Sequence, residues 1–128
     1  MPLHRIYRCL LLSALLMPLL SACSGSAESV VKGFYRALDR GDLPAAASRV
    51  SQQASAVIGE EKLLAILAET AQSMAGCGGM QSLDVTLSGQ GAVRQGQAHL
   101  GYRGNCPAQV HTVVVRKEAG SWKLGLGN

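Results

Sequence analysis

The sequence predicts an α+β domain in which helices come first and an antiparallel sheet of about four strands follows, with an export signal in front. Three observations predict it. Apolar residues recur at helical spacing from Ala27 to Met74, the run Gly76-Cys77-Gly78-Gly79 stops that pattern, and from Leu83 onward apolar and polar residues alternate between turn-forming segments. A chain of 128 residues has room for one such domain, because single domains run to about 100–150 residues.

Residues 1–22 form three zones. A basic start with His4, Arg5 and Arg8 leads into the apolar run Cys9–Leu20, and the small residues Ser21 and Ala22 follow. That order is a secretory signal. A membrane-spanning helix needs about 20 apolar residues, whereas this run is shorter and contains Pro18. The segment Leu20-Ser21-Ala22-Cys23 resembles the lipobox of bacterial lipoproteins, with leucine three places before the cysteine and small residues between. The resemblance implies cleavage before Cys23, a diacylglyceryl thioether on its sulphur and a further acyl chain such as palmitate on the freed amine. One acyl chain holds a protein only marginally, at about 0.8 kcal/mol per buried methylene, while several hold it stably in the bilayer. Ser24 stands where an enterobacterial inner-membrane retention signal places aspartate, which implies the outer membrane, facing the periplasm. An ordinary cleaved signal, leaving Cys23 free or disulfide-bonded, is the alternative. Residues 23–25, the lipidated cysteine and its tether, leave a reach of only roughly 10 Å at about 3.5 Å per extended residue. The domain, residues 26–128, is therefore expected to sit against the membrane surface.

The first helix is expected from Ser26 to near Arg40. Ala27, Val30, Val31, Phe34, Tyr35 and Leu38 line one side, Ser26 can cap the start, Glu28 suits the positive end of the helix dipole, and Gly41 can take the left-handed stop. Asp42 then caps a second helix whose buried side carries Leu43, Ala46, Ala47 and Val50, with Pro44 tolerated in its first turn. Residues 51–59 are polar and mixed, and read as a loop or a ragged helix end. A third helix runs from Glu60 to about Ala75 on Leu63, Leu64, Leu67, Ala71 and Met74.

In the second half Leu83, Val85 and Leu87 alternate with Asp84, Thr86 and Ser88 and predict a strand with one apolar face. Gly89-Gln90-Gly91 turns the chain into a second strand, about 92–103, with Ala98, Leu100 and Tyr102 on one side and Gln97, His99 and Arg103 on the other. Gly104-Asn105-Cys106-Pro107 is the next turn. Gln109 to Glu118 carries valines on both faces, which suggests a central strand, and Trp122 to Leu126 alternates once more. Three helices and a four-stranded meander result.

That order of elements, the segment Val31-Lys32-Gly33-Phe34-Tyr35-Arg36-Ala37-Leu38 followed by Gly41-Asp42, and an ending in which Gly120 precedes Trp122-Lys123-Leu124 resemble the nuclear-transport-factor-2-like (NTF2-like, cystatin-like) superfamily. The ending resembles the closing hairpin of small bacterial lipoproteins in that superfamily whose function is unassigned. The resemblance spans residues 26–126 and rests on core residues. It implies a curved sheet folded over the helices as a cone around an apolar cavity. Members include enzymes, ligand-binding proteins and docking modules, so the fold leaves the activity open. In ketosteroid-isomerase-like members an aspartate and tyrosines act inside the cavity. Asp84, Tyr7, Tyr35 and Tyr102 are the residues of those types here; Tyr7 leaves with the signal, and no motif sets the others at catalytic positions.

Cys77 precedes the first strand and Cys106 follows the second. If those strands are antiparallel neighbours, both cysteines fall at one end of the sheet. A disulfide between them suits an exported protein and closes a loop that stabilises a fold by roughly 3–4 kcal/mol. The rivals are two free thiols, or a zinc or copper site with His99 and His111, against which the absence of Cys-x-x-Cys and His-x-x-x-His spacing argues. No metal and no cofactor is expected. His99 and His111 are expected to be exposed and without a role.

Phe34, Tyr35 and Trp122 read either as core or as pocket lining, and the candidate ligand-binding residues are Tyr35, Tyr102 and Trp122. No Gly-x-Ser-x-Gly elbow is present, and the glycines follow a helix and precede strands, the reverse of a phosphate loop. The net charge of +4 falls to +2 once Arg5 and Arg8 leave, with ten basic against eight acidic side chains remaining. Neither that value nor the scattered cations imply nucleic acid. The reading that follows is a membrane-anchored, non-enzymatic module that binds or docks an envelope protein partner or a small apolar ligand. A small enzyme with an acid or tyrosine in the cavity is one alternative. A structural or assembly subunit at the membrane, including a homodimer, is the other.

Overall fold

The computed structural model describes residues 26–126. The expected signal peptide, residues 1–22, and the expected lipidation site Cys23 with its tether lie outside the described residues.

Four helices are followed by four strands. α1, Ala27–Asp39, is capped by Ser26, whose Oγ accepts from the Ser29 amide at 3.2 Å, and Glu28 lies in its first turn. Gly41, with φ 70°, takes the left-handed conformation that ends it. Ala27, Val30, Val31, Tyr35, Ala37 and Leu38 are buried, the stripe that helical periodicity marks out. α2, Leu43–Ala47, is capped by Asp42, which accepts from the Ala45 amide at 3.2 Å.

The chain departs from expectation after α2. Val50, expected on the helix, forms a parallel bridge to Leu124, with Leu124 N donating to Arg49 O and Ser51 N donating to Leu124 O, both at 2.8 Å. A short helix gains little by lengthening, and the open edge of the last strand offers two backbone hydrogen bonds instead. The segment 51–59, expected as a loop or ragged end, is a fourth helix. α3, Gln52–Ile58, starts at the buried Ser51, whose Oγ accepts from Ala54 N at 3.1 Å. The Glu118 carboxylate, brought from the far end of the chain, accepts from Gln52 N at 3.0 and 3.1 Å. α4, Glu60–Gly76, buries Leu63, Leu67 and Met74.

The sheet comprises β1 (Met80–Ser88), β2 (Val93–Tyr102), β3 (Gln109–Glu118) and β4 (Ser121–Leu124), joined antiparallel in chain order. Its register pairs Leu83 with Leu100, Val85 with Ala98, Gly96 with Val113 and Val115 with Leu124. One face thus carries the apolar set and packs on α1, which α4 covers from the other side, in a single core. The opposite face holds Asp84, Thr86, Gln97 and His99, all exposed. β3 is an inner strand, although its second apolar face is uncovered and Val110 remains 53% exposed. The sheet curves into a half-barrel. At Gly96 a Cβ would run into the Thr86 carbonyl oxygen, so only glycine lets β1 and β2 bend this tightly.

α1 has a fixed direction over the sheet. Asp39 at its C-terminal end accepts from Met80 N, the first residue of β1, at 2.8 Å. Gly33, two turns earlier, lies under the guanidinium of Arg49, whose backbone adjoins Leu124. The helix therefore starts at the end of the sheet where β1 finishes and β4 begins.

Candidate functional site

Inward alternation along β2 and β3 sets Tyr102, Gln109 and His111 on the same face as Leu100 and Val113, and α1 lowers Tyr35 onto them. The Tyr35 hydroxyl lies 2.9 Å from His111 Nδ1, His111 Nε2 lies 3.3 Å from Gln109 Oε1, and the Tyr102 hydroxyl donates to the same Oε1 at 2.9 Å. One assignment gives every proton an acceptor: Tyr35 donates to His111 Nδ1, and the His111 Nε2–H and the Tyr102 O–H both donate to the Gln109 carbonyl. Tyr35 is only 4% exposed. Burial, and secondarily the neighbouring Tyr102 phenol, push its hydroxyl up to about 12, and burial raises Tyr102 as well. Both phenols stay protonated at neutral pH, as donors rather than bases.

Tyr35 also borders an apolar cleft of about 220 Å³ between α1, the α3–α4 pair and the β3–β4 end of the sheet. Phe34, Val50, Ile58, Leu67 and Val113 line it, and Ile66 and Leu126 stand at it while each remains 43% exposed. Phe34 meets the Tyr35 ring edge-on, centroids 5.2 Å apart. Typical small-molecule pockets measure about 300–1,000 Å³, so this space suits a side chain or a short acyl segment.

The residues singled out by sequence divide accordingly. Tyr35 and Tyr102 come together through His111 and Gln109. Trp122 is elsewhere, at the opposite end of the same sheet face, with the Arg94 guanidinium 4.9 Å and Lys117 Nζ 5.5 Å from its ring. Asp84 and His99 point to the outer face and enter no cavity. His111, expected to be exposed and idle, is half-buried and bonded to Tyr35. Its signal was its odd-numbered place in β3, in phase with Val113 and Val115; Gln109 shares that phase. Cys77 and Cys106 are joined in a disulfide with Cα atoms 5.4 Å apart, where Gly78 and Gly104 pack backbone to backbone. Among the described residues no group of three His, Cys, Asp or Glu side chains could hold a metal ion, and no helix is long and apolar enough to cross a membrane.

Helices held over a curved antiparallel half-barrel, with an apolar cleft and tyrosines inside, define a cone-shaped α+β fold. Solved structures place that architecture among the NTF2-like folds. A Campylobacter jejuni protein described as an NTF2-like transpeptidase superposes with a TM-score of 0.71 at 16% identity, over 80% of this chain and 100% of its own. A Streptomyces avermitilis protein described as a dehydratase of the NTF2-like family gives 0.52 at 22% identity, over 76% of this chain and 87% of its own. An NTF2-like protein of unknown function from Shewanella oneidensis MR-1 gives 0.51 at 20%, over 76% and 89%. The chain has the NTF2-like fold. No protein-family model and no curated protein matches the sequence.

Proposed function

We propose that the chain is a lipoprotein of a bacterial envelope, processed before Cys23 and acylated there, whose cone is a non-enzymatic module for binding an apolar group. The observation that carries the binding reading is the cleft. It is apolar, it opens beside half-exposed Ile66 and Leu126, and the polar groups nearest it already satisfy one another. A site built for acid–base work keeps a proton donor or acceptor available to substrate; here the Tyr35 hydroxyl and His111 Nδ1 are bonded to each other. The lipobox-like Leu20-Ser21-Ala22-Cys23 supports the anchor, and a Cys77–Cys106 disulfide suits an oxidising compartment. Ser24 favours the outer membrane, with the domain in the periplasm. The occupant is a small apolar ligand or an apolar side chain of an envelope protein.

Two measurements test this. Ile66→Glu should abolish the fluorescence enhancement of an apolar dye bound by the folded domain; equal enhancement in parent and variant removes the cleft as the binding site. Mass spectrometry of the full-length product should find an acylated Cys23 at its N-terminus, and Cys23→Ser should leave the protein outside the membrane fraction. An unmodified N-terminus at another position overturns the anchor. Crosslinking in intact cells then separates a protein occupant from a small molecule. The Tyr35–His111 pair beside the cleft is the one feature that favours a small enzyme instead, and that alternative requires a substrate turned over by the parent and not by Tyr35→Phe.

A further inference from the structure

The end of the cone from which α1 starts holds the only tryptophan of the chain, and two cations flank it. The tips of the two hairpins at that end, residues 88–94 and 116–123, contain Arg94, Arg116, Lys117 and Lys123 against one carboxylate, Glu118. Glu118 is engaged with the Gln52 amide. Arg116 donates to Gln53 Oε1 and Lys123 to the Ser48 carbonyl, whereas Lys117 is exposed and the half-buried Arg94 stacks its guanidinium on Trp122. On the facing first turns of α1, Glu28 and Lys32 offset each other. The opposite end carries cations as well, Arg36, Arg40 and Arg103, but there Asp39 and Asp42 stand among them and no tryptophan is present.

We infer that this end, through Arg94, Lys117 and Trp122, docks onto the anionic phosphates of a phospholipid surface. The inference rests on the lipoprotein reading for its geometry. α1 begins at Ala27, and the tether from Cys23 reaches only roughly 10 Å. Whatever protein surface surrounds the start of α1 is therefore held against the headgroups, and the surface found there is cationic and bears an indole. Tryptophan settles at headgroup level because its ring is amphipathic, and each lysine or arginine near an anionic surface strengthens attachment. Anchor and patch lie at the same pole, so the chain is oriented rather than merely tethered.

The test uses the unacylated stretch from Ser24 to Asn128, which contains all eight elements and the whole core, so that binding does not depend on Cys23. With vesicles of phosphatidylcholine containing phosphatidylglycerol, Trp122 emission should shift to shorter wavelength and be quenched by brominated acyl chains. Phosphatidylcholine alone and inorganic phosphate alone should give no shift. Arg94→Gln and Lys117→Gln should each weaken vesicle binding by about fivefold, and 1 M salt, which shortens the screening length to about 3 Å, should abolish it. Glu61→Gln, on α4, should leave it unchanged. An unchanged Trp122 spectrum with anionic vesicles, in protein shown to be folded by circular dichroism, overturns the inference even if Cys23 proves acylated. A shift produced by phosphate alone, or by raising protein concentration without vesicles, also overturns it, in favour of a small anion or a second copy. Vesicle binding in this form, alongside an unacylated Cys23 in cells, would leave the surface standing and remove only the anchor.

Discussion

The two ends of the inner sheet face are chemically unlike, although the same strands build both. At one end Tyr35, His111, Gln109 and Tyr102 form a closed chain in which each proton has an acceptor. At the other, Arg94 and Lys117 flank Trp122, and the buried Arg94 Nε has no hydrogen-bond partner. The first arrangement specifies packing, because a buried hydroxyl or imidazole is costly unless paired. The second is a stack of two cations on an indole, in which Lys117 stays exposed. The disulfide lies beyond the closed end, so covalent and hydrogen-bonded restraint accumulate at one pole.

If restraint is concentrated at the closed end, losses of stability should rank by distance from it. Cys77→Ser should have the largest effect, about 3–4 kcal/mol for the loop it opens. That corresponds to a fall in Tm of roughly 10 °C or more under oxidising conditions, and the difference from the parent should vanish in reductant. Alkaline unfolding comes next. The Tyr35 hydroxyl titrates near 10 when unfolded and at about 12 when folded. Its raised value gives a stability contribution fully present below pH 10 and lost as pH climbs through 12, in total roughly 2–3 kcal/mol at 1.36 kcal/mol per unit. Denaturant titrations at pH 9 and 11.5 should show this fall, and Tyr35→Phe should flatten it.

His111→Ala should cost about 1–3 kcal/mol because it strands the buried Tyr35 hydroxyl, and more than Tyr35→Phe, which removes the donor itself. Equal costs in urea melts would show that the pair is not a unit. Lys117→Gln at the open end should cost least, about 0.5–1 kcal/mol, the value of an exposed cation–π contact. A loss as large as that of His111→Ala would break the contrast between the two poles.

Much of this fold was legible from the residues. Ser26, Gly41 and Asp42 mark helix boundaries through local capping chemistry, and the alternation of Leu83, Val85 and Leu87 marks a strand without any knowledge of its partners. Cys77 and Cys106 could be paired in thought because a meander returns the end of its second strand to the start of its first. What could not be read was long-range. α3 was obscured because its N-terminal amides depend on Glu118, 66 positions away, and Val50 left its helix for an edge that exists only once β4 is in place. The candidate site was half legible. Tyr35 and Tyr102 stand out as aromatic, but His111 and Gln109 look like ordinary polar residues of a strand until register turns them inward.

The sequence by itself determined the order of elements, the apolar stripe of α1, the alternating strands and the cysteines available for pairing, since each follows from periodicity or from contacts within a few residues. Only the tertiary structure decided that two tyrosines, a histidine and a glutamine would share a network, that Asp84 and His99 would face away, and that Trp122 would stand between Arg94 and Lys117 at the pole where α1 begins. The physical reason is that strand register and helix direction are settled by burial of the whole core. A shift of one residue in register would exchange every inward side chain for its outward neighbour.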